Sequence, residues 1–248
     1  MAVIKTDTFT VSSNEALESH TSDSGGGWQG SEDVHFDVID GSPDAVFADT
    51  ANVVTAIGDE DPSVTDYTVE IEGVIGGTAT TDRCGLLLRS GGGATQSAST
   101  SSYYFLRVTG NTLTNMTWDF YRVDSGSPTT SGISGTTTGT LANLDTDDTF
   151  KLRATISGTG ATVTILCEYD ENIDGGGYGG FSTLTTLSDT HANRIVTAGN
   201  VGIYMRGTNA SILDFSATHS GVQITDVNTT ESWADGDTGL VISGTGFV

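Results

Sequence analysis

Between Asp66 and Val123 the apolar residues recur at every second position rather than at helical spacing, and Gly, Ser, Thr and Asn separate the segments. In Tyr67–Ile75, Tyr67, Val69, Ile71 and Ile75 fall on one side, while Thr68, Glu70 and Glu72 fall on the other. GLLLR at 85–89 and YYFLRV at 103–108 continue the run, so each strand hides one face only. A chain built this way buries its apolar atoms by laying one sheet on another. The 33 glycines, with many Ser and Thr, deny it long helices, and 248 residues at 35% hydrophobic content suffice for one large core.

The same pattern extends along the chain. Strand candidates lie at 34–39, 45–48, 113–123, 149–156, 162–169, 181–186, 201–205 and 211–217, and a total of about a dozen suits an all-β, antiparallel two-sheet β-sandwich. In 149–156 the core side is Phe150, Leu152, Ala154 and Ile156, which leaves Lys151 and Arg153 outside, placed to pair across strands with Glu70 and Glu72. SGSPTTSGISGTTTGT at 125–140 has almost nothing to bury and is expected to be a mobile loop. Trp118, Met116 and Phe120 form an expected buried row, and Trp28, after a run of glycines, an expected plug at one end of the sandwich.

Nine Lys and Arg stand against 32 Asp and Glu, a formal charge of −23. That field repels nucleic-acid phosphates and anionic lipid headgroups, so neither nucleic acid nor a membrane surface is an expected partner. Residues 1–82 hold 17 acids and Lys5 alone among the bases, which reads as a solvated acidic skin. MAVIKTDTFT lacks the basic start and apolar run of a secretory signal, and no apolar stretch reaches membrane-spanning length. Cys84 and Cys167 lie on strand segments and read as buried free thiols, with a single bridge as the alternative.

Three groups of residues could carry chemistry. In DENIDGGG at 170–177, Asp170, Asn172 and Asp174 alternate ahead of Gly175 and Gly176, like the start of a calcium loop. Phe181 stands where such a loop places its bidentate Glu, so Glu171 or Asp189 would have to supply oxygens; a hairpin turn is the competing reading. For sugar recognition, which needs aromatic faces and polar groups on an open surface, the candidates are Tyr103, Tyr121, Asp119 and Arg107, with Tyr104, Arg89 and Arg122 in adjoining segments. For catalysis, Glu70 and Glu72 share a strand face but no third carboxylate follows, and His20, His35, His191 and His219 are scattered as turn or surface histidines would be. No catalytic residue is assigned, and the chain is expected not to be an enzyme.

The order DTFT at 7–10, LESHTSDSGGGW at 17–28, YTVEIEG, GLLLR, YYFLRV, DTFKLRATISGTGATVTI at 148–165 and AGNVGIYMRGTNASILDFSA at 198–217 resembles the concanavalin A-like lectin/glucanase jelly rolls, in particular the laminin-G-like modules of phage virion proteins and bacterial adhesins. The resemblance implies a jelly-roll domain over 1–218. VQITDVNTTESWADGDTGLVISGTGF at 222–247 is similar to the first strands of an immunoglobulin-like IPT/TIG domain, which makes 219–248 a linker and short β extension. Glucanases of this fold carry Glu-x-Asp-x-x-Glu on one strand, a pattern that Glu70-Ile71-Glu72 does not complete. What the resemblance implies is a non-catalytic display or binding module on a virion surface, such as a capsid decoration, head fibre or tail fibre, whose partners are other virion subunits, surface glycans and further copies of the chain. A secreted bacterial carbohydrate-binding adhesin module is the first alternative and a glycoside hydrolase the second.

Overall fold

The computed structural model describes residues 1–30, 36–48, 53–58, 62–76, 82–91, 101–112, 115–142, 144 and 148–219. Apart from two single-turn 3-10 helices, at Leu17–Ser19 and Ile173–Gly175, its regular elements are strands. β1 (Ala2–Asp7), β2 (Glu15–Ala16), β3 (Trp28–Gly30), β4 (Phe36–Ile39), β5 (Ala45–Ala48) and β6 (Val53–Gly58) are short. β7 (Tyr67–Ile75), β8 (Arg83–Gly91), β9 (Ser102–Thr112) and β10 (Asn115–Asp124) are long, and β11 (Ser127–Thr129), β12 (Ile133–Ser134) and β13 (Thr138–Ala142) follow. β14 (Thr149–Ser157), β15 (Val163–Asn172), β16 (Ser182–Asp189), β17 (Asn200–Arg206) and β18 (Ala210–His219) close the fold.

Every pairing among the described residues is antiparallel. The first sheet runs β12-β16-β15-β14-β7-β18-β5-β4-β2, with β1 also on β18; the second runs β11-β10-β9-β8-β17-β6-β3, with β13 also on β10. The two-sheet sandwich expected from the alternation is therefore the fold. Its interior is the set of alternate positions: Val69, Ile71, Phe150, Leu152 and Ile165 from the first sheet meet Leu86, Leu88, Leu106, Phe120 and Ile203 from the second, all fully buried. Each such side chain is worth roughly 1.5–3 kcal/mol relative to exposure. Gly73 sits on that inward face too, because a Cβ there would stand 3.0 Å from Cys84 Sγ and 3.2 Å from the Phe150 ring.

On the outward face of the first sheet the expected charge pairing is present. Glu72 lies opposite Lys151 and Glu70 opposite Arg153; Lys151 Nζ is 3.6 Å from Glu72 and 3.9 Å from Glu70, while Arg153 turns to Glu168 on β15 at 2.9 Å. Met116, Trp118 and Phe120 form the buried row, and Trp28 is buried edge-on to Phe215 at 5.1 Å. Cys84 and Cys167 are free, buried thiols, and burial pushes both well above the usual thiol range.

Four expectations are corrected. The 125–140 stretch is not a free loop: β11 and β13 both pair with β10, β12 pairs with β16, and Ile133 packs on the core. Backbone hydrogen bonds, which any side chain permits, hold it there, and Gly126, Gly132 and Gly135 take the positive φ of its turns. The acidic skin of the first third is incomplete, since Asp7 and Asp82 are buried. His20 and His219 are buried rather than turn or surface residues. Asp189 lies at the far end of β15, opposite Val163, and serves Arg122 instead of the 170–177 loop. His35 and the extension from 220 fall outside the described residues.

Polar locks hold the ends of the sandwich. Arg122, fully buried, donates to Asp189 at 2.7 Å and to Asp124 at 2.8 Å; Asp189 also accepts from Tyr104 Oη at 2.9 Å and from the His191 N–H at 2.9 Å. At the other lock, Asp7 accepts from Trp28 Nε1 at 2.6 Å and lies 2.9 Å from His20 Nε2, while His20 Nδ1 is 2.7 Å from Glu15. Beside it, Lys5 Nζ donates to Ser22 Oγ and to the carbonyls of Gly25, Gly26 and Gly27 at 2.6–3.1 Å, with the Trp28 ring 4.5 Å away. The 1% exposure of Lys5 is tolerated because its three N–H bonds find oxygen acceptors in the absence of water.

Two outcomes follow from these locks. Asp189→Ala leaves a buried guanidinium short of its partner and strands two further donors, so urea unfolding is expected to show a loss of roughly 3–5 kcal/mol. For His20, burial lowers the pKa, but the hydrogen bonds and charges of Glu15 and Asp7 outweigh it and raise the folded value above the ordinary 6.5. The stabilisation is thus complete below the unfolded pKa and disappears as pH rises through the folded one. Urea midpoints measured from about pH 5.5 to 8.5 should fall through that window in the wild type and lose this step in His20→Gln.

Candidate functional site

The outward face of the second sheet collects aromatic rings where a sandwich ordinarily shows polar side chains. On β9 the outward positions are Tyr103, Phe105, Arg107 and Thr109; the β9–β10 register sets Asp119 opposite Arg107 and Tyr121 opposite Phe105. β17 contributes Tyr204, two strands away across Gly85. Phe105 lies between two rings, Tyr204 at 5.1 Å and nearly parallel, and Tyr121 at 5.3 Å. Tyr103 is tilted against it at 6.1 Å.

Arg107 sits over this platform. Its guanidinium carbon is 5.1, 5.6 and 5.4 Å from the rings of Phe105, Tyr121 and Tyr204. Its Nη1 donates to Tyr204 Oη at 2.8 Å, and Nε and Nη2 both reach Asp119 Oδ2 at 3.3 Å. A planar cation stacked on rings and forked to a carboxylate is held in one orientation.

The four residues expected for sugar contact thus come together, but unequally. Tyr103 is only 3% exposed, and burial pushes its phenol up to about 12, so it supports the platform and offers no open stacking face. The Arg107 and Asp119 side chains are 11% and 18% exposed and Tyr121 is half-buried, so these three reach solvent. Tyr104, Arg89 and Arg122 point the other way. Arg89 is fully buried and donates to the carbonyls of Ile195, Thr65 and Gly158. Phe105 was legible in sequence as the alternation partner of Tyr103 and Arg107; Tyr204, 97 positions from Arg107, had no local signal.

In the 170–177 segment the side-chain oxygens of Asp170 and Asn172 are taken by N–H groups of the same loop. Asp170, 7% exposed, accepts the Gly179 and Gly180 N–H groups at 3.1 and 2.9 Å, one on each carboxylate oxygen. Asn172 Oδ1 accepts the Gly177 N–H at 2.6 Å, and the Asp174 N–H donates to Asp148 at 2.9 Å. Asp174 and Gly175 take φ of 51° and 70°, and Gly176 closes the turn on Ile173 O. Among the described residues no group of three or more His, Cys, Asp or Glu side chains is arranged to hold a metal ion. A calcium ion needs six to eight oxygens, and this donor set is that of a self-tied turn. Beneath it lies an open hollow of about 420 Å³ lined by Tyr169, Glu171, Ile173, Ser182 and the loop glycines.

Glu70 and Glu72 face outward on β7 beside Asp214 and Lys151. Burial raises Glu70 above the ordinary carboxylate range, against the pull of Lys151 and Arg153, and burial with the Glu72 charge raises Asp214. The two glutamates share one lysine as a cross-strand ion-pair ladder.

No protein-family model matches the sequence, and no curated protein does. Solved structures with a similar arrangement include a legume lectin-like domain from Entamoeba histolytica, at 10% identity over 78% of this chain and 90% of that one, with a TM-score of 0.48. The carbohydrate-binding module CBM66 from Bacillus subtilis covers 76% and 92% at 13% identity and a TM-score of 0.43. A glycoside hydrolase family 16 endo-glucanase from Bacteroides ovatus covers 86% and 99% at 7% identity and a TM-score of 0.43. At such identities the likeness lies in the layout of the sheets.

The turn geometry yields a direct test. Asp170→Ala frees two backbone N–H groups and is expected to cost about 1–3 kcal/mol, while the thermal midpoint of the wild type should be the same with calcium and with chelator. A rise in the midpoint on adding calcium would restore the cation reading.

Proposed function

We propose that this chain is a non-catalytic binding module that docks glycans on the outward face of its second sheet. The observation that carries the reading is the fixed Arg107, stacked over Phe105, Tyr121 and Tyr204 and forked to Asp119. A pyranose presents an apolar face and a rim of hydroxyls. The partly exposed Tyr121 ring suits the face, and Arg107 and Asp119 suit the hydroxyls as donor and acceptor. Thr138, opposite Asp119, and Thr140, opposite Thr117, extend the polar border of the strip on β13. A rigid, prepaid arrangement of this kind loses little entropy on binding.

The non-catalytic part of the reading is supported by the pairing of Glu70 and Glu72 with Lys151 on the opposite sheet. In the same reading the module is displayed on a virion surface alongside other virion subunits, which the acidic composition and the likeness of 222–247 to an IPT/TIG opening support. A secreted bacterial adhesin is the alternative setting, and neighbouring genes for capsid or tail proteins would separate the two.

A glycan array followed by calorimetry on the hits tests the binding. Tyr121→Ala should weaken the best oligosaccharide by about three- to tenfold, Arg107→Ala should weaken it at least as much, and Lys151→Ala on the other sheet should leave it unchanged. Retained binding in both Tyr121→Ala and Arg107→Ala would remove the site.

A further inference from the structure

One row along from Arg107, the same face carries polar atoms that lack partners. Arg83 on β8 lies opposite Thr109 on β9 and opposite Arg206 on β17. By the strand alternation all three share the outward side with Arg107 and Tyr204. Arg83 Nε and Thr109 Oγ1 are both shielded from solvent, and neither has a hydrogen-bond partner. Thr109 as a whole is 8% exposed. Thr55 on β6, opposite Tyr204 and fully buried, has an equally unpartnered Oγ1.

This arrangement carries a cost. A shielded N–H or O–H without a partner costs free energy that folding does not recover. By strand register Arg83, Arg107 and Arg206 occupy neighbouring outward positions, and Asp119 is engaged by Arg107. Three of the eight basic residues in 83–218 therefore gather on one face of a chain with a net charge of −23. An oxyanion offsets that cost, because it pairs with the Arg83 guanidinium and accepts from Arg83 Nε and Thr109 Oγ1. The long-range repulsion from the acidic remainder does not prevent this, since charges beyond about 8 Å are screened at physiological ionic strength.

We propose that Arg83, with Thr109, Arg206 and Arg107 around it, binds a carboxylate or sulfate group, and that the glycans taken by this face are acidic ones. The proposal rests on the glycan-docking reading of the same face for its ligand class, whereas the anion site itself stands on Arg83 and Thr109.

Calorimetry on the full chain with oligogalacturonate, sulfated dextran fragments and neutral dextran fragments of matched length, at about 50 and 300 mM salt, tests the proposal. At least one acidic sugar should bind about tenfold or more tightly than neutral dextran. The advantage should shrink at the higher salt, vanish in Arg83→Gln and survive in part in Arg83→Lys, with unfolding midpoints confirming that the variants fold. Equal affinity for acidic and neutral sugars, or an undiminished preference in Arg83→Gln, overturns the anion site and leaves glycan docking standing. If no sugar binds, a sulfate titration decides the anion site alone: a thermal midpoint that rises in the wild type but not in Arg83→Gln supports it, and no rise overturns it.

Discussion

Burial of the inward sides of β7 and β14 against β8 and β9 is what every other feature of the molecule presupposes. Those strands donate one apolar residue in two to a common layer, and in each the opposite residues are forced outward by the same pleat. A slip of one residue anywhere in β9 would exchange Leu106 with Arg107 and dismantle the core and the aromatic platform at once. The register that protects the interior therefore also assembles the exterior. Gly73 shows how tight the layer is, since a Cβ there would make Cys84 Sγ and the Phe150 ring give way by a few tenths of an ångström.

Apolar layering does not by itself hold the open ends of a sandwich, and here ionic groups do so. Arg122 with Asp189, Arg89 with three carbonyls, and Lys5 with three glycine carbonyls each tie an irregular segment to a strand. Such groups carry heavy desolvation costs and are tolerated because their hydrogen-bond needs are met almost in full. They fix which loop lies where rather than adding much net stability. Arg89 Nε is left without a partner, and so are Arg83 Nε, Thr109 Oγ1 and Thr55 Oγ1 on or beside the outward face of the second sheet.

The aromatic platform and the 170–177 turn illustrate the limits of spacing as a guide to chemistry. Asp, Asn and Gly at alternate positions serve a cation or a turn equally well, because both require short oxygen-bearing side chains and a reversible backbone. Only the directions of the side chains separate the two, and Asp170 and Asn172 are directed at glycine N–H groups. Tyr103 and Tyr121 looked alike in sequence, yet Tyr103 is buried beside Phe105 whereas Tyr121 is only half-buried.

Period-2 alternation was enough to establish the long strands, their inward residues and the two-layer plan, because pleating converts residue parity directly into facing. It also placed Lys151 and Arg153 against Glu70 and Glu72. Parity says nothing about which strands become neighbours, so the approach of Tyr204 to Arg107, of Arg206 to Arg83 and of Asp189 to Arg122 was settled only when distant segments met. The 125–140 stretch makes the same point from the other side: its side chains have little to bury, but its backbone groups found partners on β10 and β16. Local pattern determines what a strand hides, and tertiary pairing decides what its exposed face can hold, since a binding surface is assembled from strands that are remote in the chain.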